Sequence, residues 1–239
     1  MALRVGCCGF PVGRAEYFRR LDTVEINSSF YDLPRLATAE GWRKQAPEGF
    51  VYSLKAWQAV THRPSSPTYR RLRGKIPEKT LSRFGHFQDT LEVWEAWEKT
   101  RAIVEALKAK FVLFQTPPDF SPGADHLRDI YRFFKKIRRG QALLVWEPRG
   151  AGWTDRLVKK VCEDLGLIHG TDPLARTQLA GSMGYFRLHG AYEGGRIRYA
   201  HDYSDAELER LRSLCGRGPA FVYFNNTAMW RDSLRFRAP

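Results

Sequence analysis

Residues 142–172 read ALLVWEPRGAGWTDRLVKKVCEDLGLIHGTD, and this one stretch holds a strand pattern, a helix pattern and a second strand pattern in succession. The run 142–149 is rich in β-branched and apolar residues, and so is 166–172. Between them, Thr154 stands before an acidic residue and a Leu-containing amphipathic run over 155–165, as a helix N-cap does. The same alternation extends outward in both directions. Further strand-like runs fall at 3–10, 23–31, 50–56, 111–116, 183–190 and 219–226, and further helical patterns at 15–21, 37–45, 91–108, 125–139, 205–215 and 228–236, with Ser204 as a second N-cap.

Eight strands alternating with about seven or eight helices predict an α/β fold, a single (β/α)8 TIM-type barrel spanning 1–239 as one domain. Only the connection 173–182 is too short for a full helix, so the helix after the sixth strand is expected to be short or missing. No repeat of fixed period is present. An open doubly wound sheet is the competing arrangement. Its dinucleotide version is opposed by the first turn, because Gly6-Cys7-Cys8-Gly9-Phe10-Pro11 is not a G-x-G-x-x-G loop opening a helix.

The composition excludes other classes. With 239 residues, 43% of them hydrophobic and 13% aromatic, the chain can bury a sizeable core and lacks the signature of disorder. No window is apolar enough for a membrane helix and the start carries no secretory pattern, so a soluble, cytoplasmic protein without a membrane partner is expected. Cys7, Cys8, Cys162 and Cys215 form no C-x-x-C pair, and reduced core thiols are expected; a reactive Cys8 is the alternative. The 39 Lys+Arg against 26 Asp+Glu give a formal charge of +13. Such a field attracts polyanions, although a dispersed excess also serves solubility alone.

Strand parity separates two sets of residues, since alternate positions of a barrel strand face the interior or the surrounding helices. Val24 and Ile26, Tyr52 and Leu54, Val112 and Phe114, Leu144 and Trp146, Phe186 and Leu188, and Val222 and Phe224 form the set expected under the helices. The other parity carries Glu25, Asn27, Ser53, Lys55, Gln115, Glu147, Arg149, Arg187, His189, Tyr223 and Asn225 near the carboxyl ends of the strands. Asp172 ends the sixth strand, with His169 and Thr171 on the outer parity. Charged groups converging inside a barrel must pair or bind something to offset desolvation, which predicts a polar pocket at the C-terminal mouth. The competing reading is a buried salt-bridge network, such as Glu147 with Arg187, that only fixes the barrel.

The segment 57–90 after the third strand far exceeds an ordinary connection and suggests a lid or binding arm. It carries Arg63, Arg70, Arg71, Arg73, Lys75, Lys79 and Arg83, interleaved with Trp57, Tyr69, Phe84 and Phe87. Cations for phosphates and aromatic faces for bases are the ingredients of single-strand binding; alternatively the aromatics anchor the loop and the cations are solvated. A second basic connection, 191–203, holds Arg196, Arg198 and Tyr199 near His189.

These segments resemble the YecE-like family, a domain of unknown function with a TIM-type barrel, nearly end to end. The resemblance rests on 24–31 (VEINSSFY), Trp42 with 47–55, His62, 114–118 (FQTPP), 146–149 (WEPR) with Trp153, Asp172-Pro173, 187–190 (RLHG) and 223–226 (YFNN). Cys7-Cys8 and Pro148 depart from the family's usual residues. The resemblance implies a pocket containing Asn27, Tyr31, Lys55, His62, Gln115, Glu147, Arg149, Asp172, Arg187, His189 and Asn225, and supplies no established reaction.

For a phosphorylated small molecule or single-stranded nucleic acid, Lys55, Arg149 and Arg187 offer positive charge, His189 or His62 proton transfer, and Glu147 or Glu25 a complementary base. Phosphoester hydrolysis is the favoured chemistry, with Glu147, His189, Lys55, Glu25 and Asp172 as candidate catalytic residues. Nucleic-acid contacts are expected from Arg70, Arg71, Arg73, Lys75, Lys79, Arg196 and Arg198. A Mg or Mn site would recruit Glu25, Glu147, Asp172 and His189 but is not favoured, and Lys55 as a Schiff-base nucleophile is weaker still. No nucleophile elbow points to acyl transfer. The non-enzymatic alternative is a nucleic-acid-binding protein using the same basic face.

Overall fold

A computed structural model describes residues 3–150, 152–194, 196–216 and 218–238. Among the described residues, ten strands and eight α-helices follow the order β1 (Arg4–Cys7), α1 (Arg14–Arg20), β2 (Thr23–Ile26), α2 (Leu36–Gln45), β3 (Val51–Lys55), α3 (Gln58–Thr61), α4 (Leu91–Leu107), β4 (Phe111–Gln115), α5 (Ala124–Lys136), β5 (Leu143–Glu147), α6 (Asp155–Leu165), β6 (Ile168–His169), β7 (Gly184–Leu188), β8 (Ala191–Glu193), β9 (Arg196–Arg198), α7 (Asp205–Leu214), β10 (Ala220–Phe224) and α8 (Met229–Arg237). Eight strands form one parallel sheet in the order β6-β5-β4-β3-β2-β1-β10-β7, and a parallel bridge between Thr171 and Phe186 brings its two ends together. The fold is therefore a near-closed β/α barrel. Strands β8 and β9 form a separate antiparallel hairpin on the connection after β7.

Side chains divide by parity as barrel geometry requires. Val24, Tyr52, Val112, Leu144, Trp146, Leu188, Val222 and Phe224 lie in the large core between sheet and helices. A smaller cluster fills the barrel interior, built on Phe111, Leu113, Val145, Ile168, Tyr185, Phe221, Tyr223 and Cys8. Adjacent Cys7 and Cys8 point to opposite sides: the Cys7 thiol lies 3.5 Å from Ser233 under the helices, and Cys8 Sγ faces Arg187 inside. All four thiols are free and buried. Burial pushes the Cys8 thiol well above its ordinary range, aided by Glu25, so Cys8 is not a reactive thiolate.

Two expected strand boundaries shift for identifiable reasons, and the helix expected to be short or missing after the sixth strand is missing. The sixth strand is not 166–172 but two residues, because Gly166 (φ 61°) caps α6 in the left-handed region and Leu167 N–H still bonds back to Cys162 O. No helix follows it: Asp172 O accepts from Ala175 and Arg176 N–H, and the Gln178 amide bonds Ala180 and Met183 carbonyls instead. The second strand ends at Ile26, and 28–30 wind into a 3-10 turn.

The segment 57–90 is not structureless, since it contains α3 and 3-10 turns at Pro67–Arg71 and Glu78–Arg83. Both ends are stapled at a narrow neck, where Gly85 and Phe87 N–H bond to Ala59 and Val60 carbonyls at 2.9 and 3.0 Å. Of its aromatics, Phe87 is 1% exposed among Phe114, Phe120, Phe133 and Phe134, and Trp57 and Phe84 pack on the core. Tyr69 spends its hydroxyl on His62 O at 2.9 Å. These contacts anchor the segment to the barrel.

Candidate active site

The barrel interior changes character along its axis. Above the Phe111–Tyr185–Phe221 layer, hydroxyls pair as Thr23–Tyr223 (2.9 Å) and Ser53–Tyr185 (2.6 Å). Tyr185 also donates to Glu25 Oε2 at 2.8 Å. Arg187 then binds both carboxylates above. Its Nε and Nη2 donate to Glu25 Oε2 and Oε1 at 2.9 and 2.8 Å, and its Nη1 donates to Glu147 Oε2 at 2.7 Å. This bidentate fork is the geometry guanidinium and carboxylate favour.

A second group of residues lies at the strand ends. Gln115 bridges, accepting from Lys55 Nζ at 2.7 Å and donating to Glu147 Oε1 at 3.1 Å. Lys55 Nζ sits 4.0 Å from the Phe30 ring centroid, and Ser29 in the same 3-10 turn donates to Lys55 O at 2.6 Å. Asn225 Nδ2 lies 3.0 Å from His189 Nδ1, and Glu147 Oε1 lies 3.1 Å from His189 Nε2. Arg149 pairs with Glu147, and its Nη2 lies 2.7 Å from His189 Nε2. Asp172 accepts N–H bonds from Leu174 (3.0 Å) and His189 (3.4 Å).

Burial is graded. Glu25, Arg187, His189, Glu147, Asp172, Lys55 and His62 are buried, whereas Asn27, Tyr31, Gln115, Arg149 and Asn225 remain partly exposed around them. Asn27 Oδ1 is buried without a hydrogen-bond partner. Tyr192 lies beside Arg149, and Tyr199 stands edge-on to His189 at 6.1 Å; both tyrosines are more than two-fifths exposed. Tyr192 is the mouth residue that sequence parity missed, because it sits on a hairpin that no strand pattern announced.

Electrostatics redistribute the expected roles. Burial lowers His189 and His62 to about 3, leaving both imidazoles neutral near pH 7. Burial opposes ionisation of Glu147, but Arg149, Arg187 and His189 overcome it and hold the carboxyl well below its usual range. Glu25 has no exposure and both oxygens committed to Arg187 and Tyr185. Two groups change protonation near neutrality. Burial, reinforced by Arg187, lowers Lys55 to about 7, and burial raises Asp172 to about 6 against its two backbone N–H bonds.

The oxygen-rich set proposed for Mg or Mn is spent on other partners, because Arg187 occupies the space between Glu25 and Glu147 as an internal cation. Among the described residues, no three His, Cys, Asp or Glu side chains converge to hold a metal ion. The candidate nucleic-acid residues Arg70, Arg71, Arg73, Lys75, Lys79, Arg196 and Arg198 are all exposed. Arg198 pairs with Glu193 at 2.9 Å, and Arg73 reaches Asp32 at 3.8 Å.

Fold and site together define a β/α-barrel protein with a cluster of buried charged residues inside the carboxyl-terminal mouth. The family model described as "Protein of unknown function DUF72" matches residues 13–235, and the chain belongs to that family. It is 24% identical to the UPF0759 protein YunF of Bacillus subtilis, over 89% of this chain and 79% of YunF. The crystal structure of the DUF72 family protein TM1631 of Thermotoga maritima superposes with a TM-score of 0.69 at 18% identity, covering 99% of this chain and 98% of the other. Endonuclease IV of Thermus thermophilus superposes with a TM-score of 0.56 at 10% identity, covering 98% of this chain and 96% of the other, a likeness of fold alone. No helix among the described residues is long and apolar enough to cross a membrane.

Proposed function

We propose that the chain, acting as one barrel domain, is an enzyme that hydrolyses a phosphoester, with a phosphorylated small molecule or a nucleic acid as substrate, at the C-terminal mouth. The observation that carries this reading is the buried Lys55 ammonium at the mouth, with one hydrogen bond to Gln115 for its three donors and a proton affinity near neutrality. A lysine held this way costs stability and serves to neutralise charge or move a proton. Arg149, the most open cation of the cluster, supplies a second phosphate contact. The chain's +13 charge and its distant likeness in fold to endonuclease IV agree with an anionic, nucleic-acid substrate.

In the hydrolysis, Asp172 as carboxylate takes a proton from water while the water oxygen attacks phosphorus. Lys55 as ammonium gives a proton to the leaving oxygen as the P–O bond breaks. Glu25, Glu147 and Arg187 position the site, and His189, held by Asn225, orients Glu147. Asn27, Tyr31, His62 and Gln115 flank the substrate.

The test is turnover of a nitrophenyl phosphodiester, a nitrophenyl phosphomonoester and an end-labelled oligonucleotide by wild type, Lys55→Met and Asp172→Asn. Wild type releases product and each variant loses about 10²-fold or more. A second reading, nucleic-acid binding without chemistry, is favoured by the near-complete burial of Lys55, Asp172 and His189. Salt-sensitive oligonucleotide binding that both variants retain, with no hydrolysis of any probe, would establish that reading instead.

A further inference from the structure

A groove of about 810 Å³ opens beside the mouth rather than over Lys55. Its walls come from the segment joining β2 to α2 (Tyr31, Asp32, Arg35, Trp42) and from the arm after β3 (Arg71, Arg73). The groove and the mouth share one structural support, the 3-10 turn at 28–30. Ser29 and Phe30 on that turn hold Lys55, whereas Ser28 and the following Tyr31 line the groove. A chain-like ligand with a phosphate at Lys55 would therefore continue directly into it.

The lining suits the neighbouring units of such a ligand. Arg71 sits over the Tyr31 ring, 4.2 Å from its centroid, so a delocalised cation and an aromatic ring form one platform. Trp42 is partly exposed beside them, and Arg35 and Arg73 are exposed. Against three guanidiniums the groove holds one carboxylate, Asp32, whose contact with Arg73 is long and open at 3.8 Å. Three cations around two aromatic side chains are the elements of a single-strand site, where charge tracks the phosphates and flat groups receive bases. A duplex, whose bases are already stacked, gains nothing from the aromatic side chains.

We infer that this groove is a subsite for the nucleotides flanking the one in the mouth, so that the substrate class is a single-stranded oligonucleotide. The inference rests on the phosphoester reading of the mouth and adds to it a length preference.

Fluorescence anisotropy with labelled thymidine monophosphate, oligothymidylates and oligouridylates of increasing length, and a duplex tests it. The proteins are wild type, Arg35→Ala/Arg73→Ala, and Lys55→Met. Wild type gains affinity with length, and in the double variant that gain shrinks about tenfold or more, while the salt slope falls by about 1.4, or 0.7 for each lost phosphate contact. Equal loss for the thymidylate and uridylate series supports a site blind to the sugar, and loss confined to one series assigns the site to DNA or to RNA. Absence of any length gain in wild type, an undiminished gain in the double variant, or duplex binding as tight as single-strand binding overturns the subsite. The mouth reading fails separately, when Lys55→Met leaves monophosphate binding unchanged. Both arginines are exposed, so unaltered melting of the double variant confirms that it folds.

Discussion

Arg187 and Lys55 are both cations buried in one barrel, and their surroundings give them opposite consequences. Arg187 has two carboxylates in direct contact, so Arg187→Met strands Glu25 as a buried charge, leaves Glu147 with Arg149 as its cation, and is expected to cost about 3–5 kcal/mol in urea denaturation. Lys55 has one amide partner and an aromatic ring, so Lys55→Met is expected to preserve or raise the melting temperature at pH 7 even as it lowers turnover about 10²-fold or more. Its folded affinity for a proton is depressed, so the unfolded chain binds more protons between about pH 7 and 10.5, and wild-type stability gains a contribution across that window that Lys55→Met lacks. Under the proposed roles, kcat/KM rises as Asp172 loses its proton near pH 6 and falls as Lys55 loses its own near pH 7, giving a narrow bell. A profile flat from pH 5 to 9 would remove both assignments.

At the scale of elements, the arm after β3 depends on its neck. Gly85 has φ +80°, and a Cβ there would stand 2.3 Å from the His62 backbone carbonyl, with His86 and Phe87 following at φ 54° and 56°. Gly85→Ala is expected to loosen the arm without dismantling the barrel, costing about 1–3 kcal/mol and speeding proteolytic cleavage within 63–83. An unchanged cleavage rate would show that the neck tolerates a side chain. Strand parity was readable in the sequence because alternation with period two survives any tertiary context, and it placed Glu25, Lys55, Glu147, Arg187 and His189 inside before a contact was known. Asp172 belongs to the same inner parity as Ile168 and Gly170, although its strand is only two residues long. The turns within 57–90 were not readable, since Phe87 and Gly85 adopt their backbone only where the neck packs. Nor could spacing reveal that Glu25 and Glu147 share one guanidinium, or that His189 stays neutral; those facts depend on distance and burial.

For the whole molecule, the buried imidazoles set the response to acid. Burial lowers His62 and His189 to about 3 and His86 and His169 to about 4, each from an ordinary value of 6.5. Folding therefore excludes protons that the unfolded chain accepts, and the stability these residues allow is complete above pH 6.5 and lost as pH falls towards 3. Asp172, raised to about 6, acts in the opposite sense between its ordinary value of 3.8 and about 6, one group against four. The melting temperature is expected to drop steadily from pH 7 to pH 4.5, and less steeply in His169→Gln. A flat response would mean that these imidazoles are not excluded from protonation.

The barrel's wall is uneven, and its thinnest place adjoins its most charged one. Between β6 and β7 the sheet closes, among the described residues, through Thr171 alone, whose N–H and carbonyl bond Tyr185 O (3.3 Å) and Arg187 N–H (2.9 Å). The next residue is Asp172, tied to the His189 amide. Parting of this seam would move Asp172 and Arg187 relative to each other without disturbing the continuous ladder from β5 round to β10, and would open the enclosed charges to solvent at the cost of only these few bonds.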